Sequence, residues 1–300
     1  MKLTFLGTGA GVPSRQRNVA GLALTMGNGS VWLFDAGEGT QLQVMKTAVK
    51  LSRISRIFIT HLHGDHVFGL PGLLSTRSFQ AGASPVHVYG PKGIKEYLET
   101  ALRLTATHLS YPLEIHQVSD GTVIRARRFT VTARLVDHVI PSFGYRIVED
   151  EHPGELQVDR LRELGLGPGP AYAVLKAGGK VTRPGGQVIH GHDYLGPRRP
   201  GTIITIVGDT RACDATVDLA RDADVFVHES TYAQEETDLA NQYGHSTCVQ
   251  VAKLAKQAGA KRLLLTHISA RYAVPEVLQS QARAVFPAAD LMGDLYEVEI

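Results

Sequence analysis

Long apolar runs are missing from this 300-residue sequence. None approaches the roughly 20 consecutive residues that a bilayer-spanning helix needs, so no membrane association is expected. Cysteine is almost absent. Cys213 and Cys248 are the only two; they suit a reduced compartment, which favours the cytoplasm, and they cannot build a cysteine-rich zinc site. Surplus charge is lacking as well. A formal net charge of +2 with histidine neutral removes any global polycation argument, so a nucleic-acid surface has to come from local clustering. Met1-Lys2 leads straight into an apolar run without the layout of a signal peptide. Internal repeats and low-complexity tracts are missing too.

What is present is an ordinary globular composition, 43% hydrophobic and 20% charged, long enough to bury a sizeable core. The unusual figure is 13 histidines, several beside acidic residues. Short β-branched or apolar runs read as strands at Leu3–Leu6, Val31–Asp35, Ile57–Thr60, Val86–Tyr89, Val131–Val136, Thr202–Val207, Val225–Val227 and Arg262–Thr266. Helical patterns cover Phe68–Phe79, Ile94–Leu104 and Thr247–Gln257. Alternating strands and helices predict α/β layers in a single domain spanning 1–300. Metal-ligand residue types recur just past the strands: Asp35, His61, Asp137-His138, Asp209, His228-Glu229 and His267.

Residues 164–200 differ in character. Glycine and proline dominate there, as in Gly165, Gly167-Pro168-Gly169-Pro170, Gly178-Gly179 and Pro184-Gly185-Gly186. That density predicts a protruding arm with little regular structure. Five basic residues (Lys176, Lys180, Arg183, Arg198, Arg199) face one acid, Asp193. Positive charge therefore concentrates in this segment.

The densest chemistry lies in His61-Leu62-His63-Gly64-Asp65-His66, three imidazoles and a carboxylate within six residues. Neutral imidazole and carboxylate are the donors of catalytic zinc sites. Gly64 is expected to let the backbone turn tightly enough for side chains on both sides to converge. A lone histidine is usually structural; four ligating side chains at this spacing after a buried strand point to a metal.

The segment resembles the H-x-H-x-D-H signature of the metallo-β-lactamase fold. Further motifs are similar to the bacterial short form of the tRNase Z family and cover essentially the whole chain. They are Phe5-Leu6-Gly7-Thr8-Gly9, Phe34-Asp35-Ala36-Gly37-Glu38-Gly39-Thr40-Gln41, Pro141-Ser142-Phe143-Gly144-Tyr145-Arg146, Gly208-Asp209-Thr210-Arg211, Val227-His228-Glu229-Ser230-Thr231, Gly244-His245-Ser246-Thr247 and Thr266-His267-Ile268-Ser269-Ala270-Arg271-Tyr272. Ala36 departs from the cysteine of many relatives, and Leu42 from a polar residue; neither is a ligand position.

The resemblance implies a four-layer αβ/βα metallo-β-lactamase fold, with residues 150–195 inserted as a Gly/Pro-rich tRNA-binding arm, the exosite. It implies two zinc ions per subunit. His61, His63 and His138 would hold one, Asp65, His66 and His267 the other, and Asp209 would bridge them. The implied reaction is endonucleolytic removal of the 3′ trailer of precursor tRNA, cut after the discriminator nucleotide, leaving a tRNA 3′-hydroxyl and a trailer 5′-phosphate. Asp65 would orient the attacking water and take its proton. His245, helped by Glu229, either protonates the leaving oxygen or only holds zinc ligands in place. Lys176 and Lys180 would meet tRNA phosphates without reading bases. Arg271 and Tyr272 either contact substrate near the cut or are packing and surface residues, and Pro91-Lys92-Gly93 is either a loop near the acceptor end or a surface turn. Family members are generally homodimers in which one subunit's arm serves the other's site. Two rivals stand beside this reading: a small-molecule phosphodiesterase of the same fold, for which a basic arm has no use, and an RNA-binding module without catalysis, which predicts broken ligands.

Overall fold

The computed structural model describes residues 1–80 and 82–300. They form two compact units. One comprises 1–125, 131–147 and 203–300; the other comprises 126–130 and 148–202.

Two seven-stranded sheets contribute nearly all their residues to the larger unit. The first has the spatial order Glu297–Glu299, Lys2–Gly7, Gly21–Thr25, Val31–Ala36, Ile54–Phe58, Val86–Gly90 and Leu113–Gln117. Pairing is antiparallel up to Val31–Ala36 and parallel beyond it. The second has the order Ala289–Leu291, Leu263–Thr266, Val225–Glu229, Ile203–Val207, Ser142–Glu149, Phe129–Val136 and Val123–Ala126. Its first four strands are parallel.

Side-chain alternation along each strand explains the layering. In Val31–Ala36, Val31 and Leu33 join Ile54, Ile57, Val86 and Val88 in a core covered by the helices Leu70–Phe79 and Ile94–Leu104. Phe34 and Phe58 point the other way and meet Tyr145 of the second sheet, with ring centroids at 6.2 and 5.2 Å. The Tyr145 hydroxyl also donates to the Ile59 carbonyl at 2.7 Å. On the far side, Phe226, Leu263 and Leu265 pack with residues of the helices Asp214–Ala220, Cys248–Ala258 and Glu276–Arg283. The result is the expected four-layer αβ/βα arrangement. Parallel strands buried on both faces read as unbroken apolar runs, as Val225-Phe226-Val227 does.

Because these strands run parallel, their C-terminal ends share one rim, where open α/β sheets place their functional loops. Asp35, His61, Asp209, Glu229 and His267 all sit there.

Local boundaries follow from identifiable residues. The helix expected over Phe68–Phe79 runs from Leu70 to Phe79, and a separate short helix, Gly64–Val67, precedes it. Gly69 diverts its N–H to the Ala36 carbonyl at 2.9 Å, and Pro71 has no N–H to continue the first helix. Thr247, expected as the first residue of its helix, is the cap. Its hydroxyl accepts from the Gln250 N–H, and Gln250 returns a bond to the Thr247 N–H.

The smaller unit corrects the expectation of an irregular arm. Residues 164–200 include the helix Pro170–Lys176 and the hairpin Lys180–Thr182 with Val188–His190, and the helix Val158–Glu163 precedes them. Leu161, Leu175 and Ile189 form a small buried core, with Tyr172 and Tyr194 against it. Glycine permits this regularity. Gly178, at φ +80°, follows the end of the second helix. Gly191 lies where a Cβ would be 2.1 Å from the Leu175 carbonyl oxygen. Three apolar side chains spread over 29 positions carry no periodic signal. Arg198 and Arg199 are partnered by Glu151 and Glu155 at 3.6 and 3.3 Å. Lys176, Lys180 and Arg183 have no acidic partner within ion-pair distance among the described residues, and both lysines are exposed.

Candidate metal centre

All seven expected ligands lie in the larger unit, and the structure gathers them. Donor atoms of His61, His63, His138 and Asp209 lie within 4.8 Å of one another, as do those of Asp65, His66 and His267. Asp209 Oδ2 stands between the two sets, 3.6 Å from His61 Nε2, 3.5 Å from His66 Nε2 and 3.3 Å from His267 Nε2. Asp65 Oδ2 is 3.5 Å from His66 Nε2 and 3.4 Å from His267 Nε2, and it accepts the Gly11 N–H at 2.9 Å. Separations near 3.3–3.6 Å are those of atoms coordinating a common cation at about 2.0–2.2 Å.

Hydrogen bonding decides which nitrogen each ring presents. His66 Nδ1 donates to Asp35 Oδ2 at 2.8 Å, and His138 Nδ1 to the Gly244 carbonyl at 2.7 Å. His61 Nδ1 meets Thr60 Oγ1 at 3.0 Å; that hydroxyl already donates to Asp35 Oδ2, so it accepts from the ring. His267 Nδ1 meets Thr231 Oγ1 at 3.0 Å, and that hydroxyl donates to Glu229 Oε2. Four Nδ1–H groups are thus consumed, leaving four Nε2 lone pairs aimed at one small volume. His66 and His267 bring theirs within 3.3 Å of each other; His61 and His138 bring theirs to 3.1 and 3.3 Å from His63 Nδ1. Facing lone pairs repel unless an electrophile sits among them. Three-ligand sets of nitrogen and carboxylate oxygen suit zinc, so these residues fit a pair of such ions.

Protonation divides the rings: burial disfavours a charged His66, but Asp209 and Asp35 outweigh it and hold that ring well above the ordinary imidazole pKa, so a cation there would displace its proton. Burial, reinforced by neighbouring rings, holds His61 well below the ordinary imidazole pKa, in the neutral form that ligates. Burial alone would raise Asp209, but His267, His66 and His61 outweigh it and keep its carboxylate far below the usual range. Asp65 is likewise held low, hydrogen bonds with His267 and His66 overcoming its burial. Two site residues, Asp35 and His267, have left-handed backbones with φ +56°, a conformation non-glycine residues rarely adopt and often found where function fixes a side chain.

Glu229 and His245 form a second layer of contacts. The buried Glu229 carboxylate takes the Ser246 N–H at 2.9 Å, the Thr231 N–H at 2.9 Å and His245 Nδ1 at 3.1 Å. Burial disfavours a charged His245, but Glu229 and then Asp209 overcome it and raise its pKa to about 9. Its ring stacks on His267 at 5.6 Å and keeps a small solvent-facing area. His228, on the alternate face of its strand, does not join the cluster.

Other expected residues have different partners. Arg271 pairs with Glu236 at 3.0 Å and lies over the Tyr232 ring. The Tyr272 hydroxyl donates to Glu236 and accepts the Ala233 N–H at 2.7 Å. Lys176 and Lys180 belong to the smaller unit. Gly64 does not make a turn: its backbone is helical, and a Cβ would fall 2.1 Å from the ring of the exposed Phe68, which would have to swing aside. Gly93, with φ +103°, caps the helix Ile94–Leu104.

Sequence reasoning gave no role to Asp35, Thr60 or Thr231. Asp35 takes the Thr60 N–H at 2.7 Å, the Thr60 hydroxyl at 2.8 Å and the His66 ring. The available signal was a carboxylate closing a wholly apolar strand. Gly37 then brings this loop onto the histidine loop; a Cβ there would lie 2.1 Å from the Asp65 carbonyl oxygen.

Comparison with known proteins accords with this geometry. Residues 1–152 match the family model described as anti-Pycsar protein Apyc1. Ribonuclease Z of Limosilactobacillus fermentum is 52% identical over 305 aligned positions, covering 100% of this chain and 98% of its own. Among solved structures, human tRNase Z, short form, superposes with a TM-score of 0.74 at 32% identity, covering 100% of this chain and 99% of its own. The metallo-β-lactamase fold protein YhfI from Bacillus subtilis reaches 0.70 at 17% identity, with 100% and 99% coverage, a likeness of fold. Through residues 1–152 the chain belongs to the family that model describes, and over its whole length it belongs to the ribonuclease Z family.

Proposed function

We propose that this endoribonuclease removes the 3′ trailer from precursor tRNA, using two zinc ions per subunit held by His61, His63 and His138, by Asp65, His66 and His267, and by a bridging Asp209. The observation that carries the reading is the pair of donor sets sharing Asp209 Oδ2, in a chain 52% identical to a ribonuclease Z along its full length. The human relative is a tRNase Z, which supports tRNA as the substrate.

Bound there, zinc lowers the pKa of water toward neutrality and offsets charge on a phosphodiester. The chain's own residues do the rest. Asp65, ionised and steadied by the Gly11 N–H, orients the attacking water and accepts its proton. The water oxygen bonds to phosphorus while the bond to the 3′ oxygen breaks. His245, its Nδ1 tied to Glu229, supplies the proton that makes the tRNA 3′-hydroxyl. The trailer leaves with a 5′-phosphate, cut just after the discriminator nucleotide. Lys176 and Lys180 meet phosphates of the tRNA body from the arm, residues 150–195, and Arg271 and Tyr272 border the cut beside Glu236. The working form is a homodimer in the cytoplasm, a setting consistent with the free thiols Cys213 and Cys248. No helix among the described residues is long and apolar enough to cross a membrane.

The test is cleavage of a precursor-tRNA transcript by purified protein, chelated and then supplied with zinc. A single cut at the discriminator, lost on chelation and regained with zinc, is expected. An inert protein that still binds the transcript would overturn the reading, as would one that hydrolyses only small diesters.

A further inference from the structure

A second cluster of metal-ligating side chains lies at the opposite edge of the first sheet from Glu297–Glu299. Leu113–Gln117 is the outermost strand there and pairs in parallel with Val86–Gly90. The register sets His87 opposite Glu114 and Tyr89 opposite His116. Residues two apart on a strand share a face, so His87, Glu114 and His116 meet on one side of this edge.

We propose that His87, Glu114 and His116 bind a divalent transition-metal ion of the zinc class, independently of the centre described above. The donor triangle measures 3.2 Å from His87 Nδ1 to Glu114 Oε2, 3.4 Å from His87 Nδ1 to His116 Nε2, and 3.7 Å from His116 Nε2 to Glu114 Oε2. Three corners of a tetrahedron around zinc, with bonds of about 2.0–2.2 Å, are separated by roughly 3.3–3.6 Å. Two imidazoles and one carboxylate form a three-ligand set that leaves a fourth position for water. The triangle is already closed, so coordination needs little rearrangement of the chain.

The surroundings hold the rings in place. Tyr89 stacks on His116 with centroids 4.7 Å apart and planes 17° from parallel, and His87 lies nearly parallel to His116 at 5.6 Å. Burial of His87 favours its neutral, ligating form. The opposing element is Arg56, opposite His87 in the next strand, whose charge repels a dication; its guanidinium is drawn over the Trp32 ring at 5.4 Å. An ordinary surface ion pair would need only one ring on Glu114, whereas here both rings converge on the same carboxylate oxygen. A cation in the triangle would tie the outermost strand to its neighbour through side chains as well as through backbone pairing, at an edge that otherwise has one partner strand.

The experiment uses the full-length protein with its principal centre already saturated with zinc. Bound zinc per chain is measured by plasma mass spectrometry after equilibrium dialysis against rising free zinc, for wild type, His116→Asn and Glu114→Gln. Both variants alter exposed or half-exposed side chains, and a second variant guards against misfolding of the first. Wild type is expected to take up one more equivalent than either variant, while all three cut precursor tRNA at the same rate. Superimposable binding curves for the three proteins would overturn the proposal. So would an additional equivalent that both variants retain.

Discussion

Replacing Asp35 with asparagine probes how the chain aims its metal ligands, because Asp35 touches no substrate yet receives three donors. Its Oδ1 accepts the Thr60 N–H at 2.7 Å; its Oδ2 accepts the Thr60 hydroxyl at 2.8 Å and the His66 Nδ1–H at 2.8 Å. Asparagine keeps one carbonyl oxygen. If that oxygen serves His66 and the Thr60 hydroxyl, the amide NH2 points at the Thr60 N–H and leaves a buried donor unpaired, at a cost of about 1–3 kcal/mol. If it serves the Thr60 N–H, both His66 and the hydroxyl lose their acceptor, which is worse. The first arrangement therefore wins, and His66 stays tethered by a neutral, weaker acceptor. Loss of such a partner behind a ligating histidine typically weakens metal binding about 10–100-fold, or roughly 1.4–2.7 kcal/mol. Asp35→Asn is expected near the lower figure and Asp35→Ala near the upper. Zinc affinity measured by competition with a chromophoric chelator reads this directly, with thermal unfolding of the metal-free proteins reporting the stability cost. Wild-type zinc affinity in Asp35→Ala would refute the reasoning, since the ring would then not depend on its tether.

Three further outcomes follow from the same geometry. His245→Ala should lower the turnover of precursor tRNA by about 10²–10⁴-fold with zinc content unchanged; loss of metal would instead assign His245 to holding ligands in place. Lys176→Glu with Lys180→Glu should weaken tRNA binding and flatten its salt dependence while sparing hydrolysis of a small phosphodiester, and equal loss of both activities would show a structural role. Burial pushes the Cys248 thiol up to about 12. The folded protein therefore holds it protonated where the unfolded chain ionises, so its contribution to stability is present below pH 9 and is lost as pH rises toward 12. Iodoacetamide at pH 9 should label the half-buried Cys213 ahead of Cys248 by mass spectrometry; equal labelling would contradict the burial argument.

The chemistry was legible where it is concentrated and obscure where it is relayed. His61 to His66 announced a metal because four ligating side chains crowd six positions, whereas His138, Asp209 and His267 were implied by the family resemblance, each following an apolar strand. Parallel pairing then brings those ends to one rim, which strand patterns suggest but do not prove. The tether from His267 through Thr231 to Glu229 was invisible, because hydroxyls abound and only geometry tells a relay from a surface threonine. Glu236 was missed as the partner of Arg271 and Tyr272, 35 and 36 residues away and on a different element. The regular structure of the arm was hidden by its glycines, read as marks of an irregular protruding arm but used at Gly191 for close packing. His87, Glu114 and His116 escaped notice because the cluster exists only in the register of two distant strands.

Anomalous diffraction from crystals of the zinc-loaded protein, collected on both sides of the zinc absorption edge, tests the central claim most directly. Two peaks about 3.5–4 Å apart, flanking Asp209 and bounded by His61, His63 and His138 on one side and by Asp65, His66 and His267 on the other, are the predicted result. A map with no zinc signal beside Asp209, from protein that still cuts precursor tRNA, would contradict it.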